Sequence, residues 1–151
     1  MDEHMKNTLE QISTLFDSQR LAVLSTQING QPYTSLVAFA SSDNLEQIFF
    51  LTPDTTRKYE NLITNTKVAL LVNNSMNKAD DIYNAVSVTG IGTAFVVTKE
   101  NKQKLLKIYL KKHPHMKKFS ATPTTALISV TINRYFMVNQ FQNVVEIQVT
   151  Q

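Results

Sequence analysis

Two short runs of strand-forming residues, Leu21–Ile28 and Pro32–Ala40, flank the dipeptide Asn29-Gly30, and this pattern restricts the fold more than any other in the chain. Asn-Gly supplies two consecutive residues that tolerate positive φ, as a tight hairpin turn requires, so the two runs are expected to pair antiparallel. Ser41–Asn44 is a second polar turn. It predicts that Gln47–Leu51, with Phe49, Phe50 and Leu51 as strand formers, returns as a third strand beside the second. Residues 21–51 thus read as a meander.

The third strand runs directly into Thr52-Pro53-Asp54-Thr55-Thr56-Arg57-Lys58. Pro53 has no N–H to donate and ends the ladder, while Asp54, Thr55 and Thr56 are residues that cap helices, so a helix is expected to start near Thr56. Its first turn would leave backbone N–H groups unpaired beside the hydroxyls of Thr52, Thr55 and Thr56. Arg57 adds a planar fork of donors and Lys58 a point charge. This combination is a cradle for a phosphate monoester, and the same residues also suit a plain capped helix with solvated cations.

Tyr59, Leu62 and Ile63 give that helix an inward stripe, ending near Asn65, and Lys67–Asn73 is a buried-looking strand. The polar segment 74–84 is expected to be a loop. Residues 85–97 form a long strand in which Gly90 and Gly92 mark a bulge or a barrel bend. Gly90-Ile91-Gly92 is not a dinucleotide fingerprint, since it lacks the third glycine and lies within a strand pattern, and no Gly-Lys-Ser/Thr phosphate loop occurs. Thr98 is placed to cap a helix over Lys99–Lys112, with Leu105, Ile108, Tyr109 and Leu110 inward and Lys104, Lys107 and Lys111 outward; Pro114 closes it. Thr124–Phe136 and Asn143–Val149 are the last strands, the latter alternating Val145, Ile147 and Val149 against Glu146, Gln148 and Thr150. At the N-terminus, Leu9, Ile12, Leu15 and Phe16 recur at helical spacing, and Thr8 with Gln11 reads as a capping box that starts a helix. Six or seven strands in successive hairpins, with peripheral helices, predict a mainly β fold: a small antiparallel split β-barrel forming one domain over residues 1–151.

Composition removes whole classes of chemistry. The chain has no cysteine, so disulfides, zinc–thiolate sites, iron–sulfur clusters and a cysteine nucleophile are excluded. No apolar run reaches membrane-spanning length, and a soluble cytoplasmic protein without a membrane partner is expected. The net charge of +3 is uneven: Lys99, Lys102, Lys104, Lys107, Lys111, Lys112, Lys117 and Lys118 crowd one segment. Only Tyr109 and Phe119 interrupt it as aromatics, too few for a stacking platform, so a solvated helix face is expected rather than a nucleic-acid site.

The order of elements resembles the FMN-binding split-barrel superfamily that includes pyridoxamine 5'-phosphate oxidase and its small flavin-binding relatives. The resemblance spans nearly the whole chain and rests on Leu21–Thr26 followed by Asn29–Pro32, on Ile48–Thr52, on Thr56-Arg57-Lys58 and on Asn65–Leu71, in the family's order and at about its spacing. It implies that Thr34, Ser35, Leu36 and Val37 lie along the flavin ring. Leu51 and Thr52 would line the ring and ribityl chain, and Thr56, Arg57 and Lys58 would hold the FMN phosphate. It also implies a homodimer with cofactor sites at the subunit interface. FMN is expected rather than FAD, because one compact anion site is present without a dinucleotide fold. Three departures matter. Ala85 stands where the oxidases carry a glutamine, Ser35 stands where they carry a phosphate-contacting arginine, and no late Arg/His pair is present to hold a pyridoxal substrate. An oxidoreductase passing electrons from NAD(P)H through FMN to a small acceptor is expected, not the vitamin-processing activity itself. The alternatives are a flavin-storage or sensing protein and a haem- or deazaflavin-binding relative.

Other constellations are weaker. His113-Pro114-His115 invites a metal reading but has no evident third ligand, and exposed histidines at a helix end are expected. Asp80 and Asp81 lie in a polar segment, and Ser25, Ser35 and Ser129 have no histidine and carboxylate at triad spacing. No catalytic side chain and no metal site is assigned.

Overall fold

The computed structural model describes residues 2–140 and 142–149. The strands are β1 (Leu21–Ile28), β2 (Gln31–Ser41), β3 (Gln47–Pro53), β4 (Lys67–Asn73), β5 (Ser87–Val96), β6 (Thr125–Asn139) and β7 (Asn143–Gln148). The helices are α1 (Glu3–Ser18), α2 (Arg57–Thr64), α3 (Asp81–Asn84), α4 (Lys99–Lys112) and α5 (Lys117–Ser120), with a 3-10 turn at Pro114–Met116. The sheet runs β3-β2-β1-β4-β5-β6-β7, and β3 pairs with β6, so six strands close an antiparallel barrel and β7 extends it along β6. Asn29 and Gly30, at φ 53° and 80°, make the expected hairpin turn between β1 and β2.

The β5–β6 ladder bends where the sequence places its two internal glycines. The β5–β6 register shifts between Ile91 and Gly92, and a Cβ on Gly92 would collide with the Thr131 carbonyl. The bend therefore needs a residue without a side chain. Leu24, Phe39, Ile48, Phe50, Leu70, Val88, Ile128, Val130 and Tyr135 fill the interior. Ile12, Leu15 and Phe16 of α1 join that core, with the Phe16 ring set edge-on to Phe39 and Tyr135. A second cluster lies outside the barrel, where α4 brings Tyr109 onto Ala40, Phe49, Leu51, Val97 and Leu127.

Several expectations are corrected. α1 starts one and a half turns before Thr8, because Asp2 caps it by accepting from the Met5 N–H at 2.7 Å. Thr8 sits inside the helix and bonds back to the His4 carbonyl. The segment 74–84 contains α3, β6 continues past Phe136 to Asn139, and Ile108 faces outward. Thr98 is the N-cap residue of α4 but makes no side-chain capping bond. In β7 the alternation holds for Val145, Ile147 and Val149, while Thr150 lies outside the described residues.

The largest correction concerns His113, which is 1% exposed instead of solvated. Its Nε2–H donates to the Phe39 carbonyl at 2.7 Å, and its ring lies 4.9 Å from that of Tyr109. The adjacent Lys112 ammonium donates to Phe16 O at 2.8 Å, at the C-terminal end of α1, and lies over the Phe39 ring. Burial pushes the Lys112 amine down to about 8 against the pull of Asp17. Burial likewise holds the His113 imidazole below its ordinary value, opposed by the Phe39 bond and reinforced by Lys112, His115 and Arg20. Since the unfolded chain takes up this proton at a higher pH than the folded one, stability is complete above the ordinary imidazole pKa and is lost as the pH falls through the folded value. Urea titrations at about pH 7.5 and about pH 5.5 should show wild type losing more stability on acidification than His113→Gln. Equal acid slopes would contradict this.

Candidate functional site

The site is built where β2 leaves β3. Their pairing is confined to Phe39–Ser41 against Ile48–Phe50, whereas β2 pairs with β1 along Gln31–Ala38. The N-terminal half of β2 therefore has one strand partner among the described residues, and its other edge is open. Backbone N–H groups alternate between the two edges of a strand. The Phe39 N–H bonds to Arg20 O on the β1 side, so Val37 and Ser35 point the same way. The N–H groups of Leu36 and Thr34 are the ones presented at the open edge, which narrows the expected stretch of ring-facing backbone to alternate residues.

Side chains along this stretch alternate as well. Leu36 is 66% exposed on the outer face with Thr34, while Val37 is buried on the inner face with Ser35 and Tyr33. The Ser35 hydroxyl is buried without a hydrogen-bond partner. A buried hydroxyl left unpaired costs free energy, and the Thr125 and Ser129 hydroxyls share this state away from the cradle, so it does not mark a ligand by itself.

Below the open edge, α2 begins as its sequence predicts. Thr56 is the N-cap, and its Oγ1 accepts from the Tyr59 N–H at 3.3 Å. The first intrahelical bond runs from Glu60 N–H to Thr56 O, so the N–H groups of Arg57 and Lys58 lie ahead of the ladder. Thr52 is fully buried, and its hydroxyl bridges Thr56 Oγ1 at 2.8 Å and Pro53 O at 3.1 Å. It therefore braces the turn from beneath and does not present a free hydroxyl. Leu51 is buried in the cluster under α4. Arg57 is exposed and Lys58 half-buried, and the Arg57 guanidinium lies 5.7 Å from the centre of the Tyr33 ring. That cation–π contact places the helix start against the open half of β2.

Tyr33 was missed by sequence reasoning, as was the support beneath it. Thr26 stands opposite Tyr33 in register, and the buried Asn61 of α2 donates to Thr26 Oγ1 at 3.1 Å, tying the helix to the barrel. A signal existed for Tyr33, since it shares its strand face with Ser35 and Val37. Asn61 carries no local signature. Ala85 caps the C-terminus of the short α3, and Arg134 pairs with Glu146 across β6 and β7 at 3.0 Å. No group of three or more potential metal ligands occurs among the described residues.

The donor set suits a phosphate monoester carrying a flat apolar body. Two backbone N–H groups, a guanidinium and an ammonium belong to the first two residues of α2, where the helix dipole also favours an anion. The open edge of β2 offers alternate N–H groups, and Leu36 contributes exposed apolar surface, whereas Val37, expected beside the ring, is buried in the barrel core. The residues present thus fit a flavin mononucleotide. A cavity of about 660 Å³ between α4 and Pro114 and one of about 570 Å³ beside α1 include no residue of this cradle.

One sheet face beside the cradle is uncovered. Leu36, Val23, Leu71 and Thr89 are cross-strand neighbours in one row, and Ala69 with Ile91 lies in the next. Leu21, 53% exposed, continues the band on the β1 side. No helix of the described residues is long and apolar enough to cross a membrane.

Comparison with known proteins supports the architecture. A search of curated proteins finds no match. Among solved structures, a heme binding protein from Mycobacterium smegmatis superposes with a TM-score of 0.81 at 15% identity, over 92% of this chain and 57% of that one. General Stress Protein 26 from Bacillus anthracis gives 0.72 at 17% identity, over 95% and 99%. A FAD-binding protein from Mesorhizobium loti gives 0.68 at 16% identity, over 85% and 90%. The chain thus spans little more than half the length of the first of these, and at such identities the likeness shows the fold alone. The model of the pyridoxamine 5'-phosphate oxidase family matches residues 8–139, from within α1 to the end of β6, and the chain belongs to that family.

Proposed function

We propose that this protein binds FMN at the start of α2 and along the open edge of β2, and works as a flavin-dependent oxidoreductase between NAD(P)H and a small acceptor. The observation that carries the reading is that Arg57 and Lys58 set two N–H groups ahead of the ladder and two cations at a helix start beside an unpaired strand edge. Arg57 and Lys58 would hold the phosphate, Thr56 and Thr52 would keep the helix start in place, and the Thr34 and Leu36 N–H groups would face the ring system. When bound, the flavin supplies the redox chemistry. The protein's share is placement and electrostatics, because the cradle contains no cysteine, histidine or paired carboxylates.

The similar structures include proteins that bind heme or FAD. Haem is disfavoured here by where the histidines stand: His4 lies on α1, His113 is buried on the Phe39 carbonyl, and His115 sits in the 3-10 turn beyond α4. FAD would need a second anion site, which the cradle does not offer. Loss of a charge-assisted contact costs roughly 1.5 to 3 kcal/mol, so Arg57→Ala should weaken FMN binding by about tenfold to a hundredfold in a flavin-fluorescence titration. Identical affinities for variant and wild type would place the phosphate elsewhere.

We further propose a homodimer joined through the uncovered face bearing Leu21, Val23, Leu36 and Leu71. Such a contiguous apolar row is costly to leave in water, and Leu36 belongs both to it and to the open edge of the cradle. A partner covering this face would also wall the flavin site. Light scattering after size exclusion should give about twice the mass of one chain for wild type, and Leu36→Glu should shift it toward one chain mass. A wild-type monomer at micromolar concentration would overturn the dimer.

A further inference from the structure

Tyr109 of α4 and His113, the residue that caps its C-terminus, hydrogen-bond to β2 at the point where the barrel splits. Tyr109, fully buried, donates its hydroxyl proton to Ala38 O at 3.1 Å, and His113 Nε2–H donates to Phe39 O at 2.7 Å. Consecutive carbonyls of a strand point to opposite edges, so α4 grips β2 on both sides at once. Phe39 is also the first residue of β2 in register with β3, and Leu51 on the facing strand packs in the same cluster as Tyr109. One helix therefore touches both lips of the opening.

We propose that Tyr109 and His113 are positioning residues of the cradle, which fix where the open edge Thr34–Leu36 stands relative to the start of α2. The proposal rests on the flavin reading only for its effect on binding, because the geometry of the split exists without a ligand. Before Phe39, β2 has β1 as its single strand partner, so its position relative to β3 there rests on that ladder, on the Arg57–Tyr33 contact with α2 and on the hold from α4. Burial keeps the Tyr109 phenol neutral, raising it to about 12, and the hydroxyl remains a donor throughout the working range. Lys112, on the same helix, bonds to the Phe16 carbonyl of α1 and lies over the Phe39 ring of β2, so the hydrogen bonds to the strand's own carbonyls are those of the Tyr109–His113 pair. The register of the pair, four residues apart, puts both side chains on one helix face, as a two-point hold on one strand requires.

The test uses hydrogen exchange on the ligand-free protein together with ligand titrations. Tyr109→Phe removes one hydroxyl and keeps the ring in its packing. His113→Leu removes the second donor, and His113→Gln restores an N–H. In Tyr109→Phe and His113→Leu the amides of residues 33–39 should exchange several-fold faster, with those of β4 and β5 unchanged, and His113→Gln should behave as wild type. FMN and riboflavin should both bind about fivefold more weakly to Tyr109→Phe, as expected for one lost neutral hydrogen bond, while inorganic phosphate competes as before. Exchange that is unchanged at residues 33–39, or faster evenly around the barrel, would overturn the proposal. If localised exchange is seen but wild type binds neither flavin, the hold on the strand stands and the flavin reading falls.

Discussion

The separation of β2 from β3 on the N-terminal side of Phe39 is the constraint on which the rest of the molecule depends. In a closed antiparallel barrel each strand has two neighbours and every backbone group finds a partner within the sheet. Here the closure is completed by β3 pairing with β6, while β2 keeps one neighbour over its N-terminal half. The donors of Thr34 and Leu36 are therefore left for something outside the sheet. A barrel that paired fully would be more regular and would have no place to hold a planar ligand.

Around that opening the structure spends its polar groups economically. Thr52 and Thr56 use their hydroxyls on Pro53 O, on each other and on the Tyr59 N–H, which leaves the helix start rigid and its first two N–H groups unspent. Asn61 and Thr26 anchor the same helix from below. Charge is added at the mouth by Arg57, placed by the Tyr33 ring. Such an arrangement would be preorganised for the proposed phosphate, since its dipoles would not have to turn on binding. The apolar row through Leu36 connects this site to the uncovered sheet face, so the proposed dimer contact and the proposed flavin site would share one surface.

Features decided by local chemistry were legible in the sequence. Asn29-Gly30 encodes its turn because both residues accept positive φ, Gly92 encodes the bulge because only a missing side chain fits beneath the Thr131 carbonyl, and Thr56 encodes the start of α2 through a bond three residues away. The misreadings arose where distant or competing partners decide. Thr8 and Gln11 matched a capping box, but Asp2, a better acceptor placed earlier, captures the Met5 N–H and starts α1. His113 looked like a solvated helix-end residue because nothing near it in sequence announces the Phe39 carbonyl, which lies 74 residues away. The contact of Arg57 with Tyr33 and the length of the β2–β3 pairing are likewise products of closure, which no window of sequence contains.

The central claim is that the cradle takes a flavin mononucleotide, and an absorption spectrum tests it most directly. The protein would be equilibrated separately with FMN and with haemin, freed of unbound ligand by gel filtration, and scanned. The account predicts the two-band flavin spectrum at about one FMN per chain, with Arg57→Ala eluting nearly colourless and haemin washing away. Retention of haemin with an intense Soret band, together with loss of FMN on the column, would contradict it.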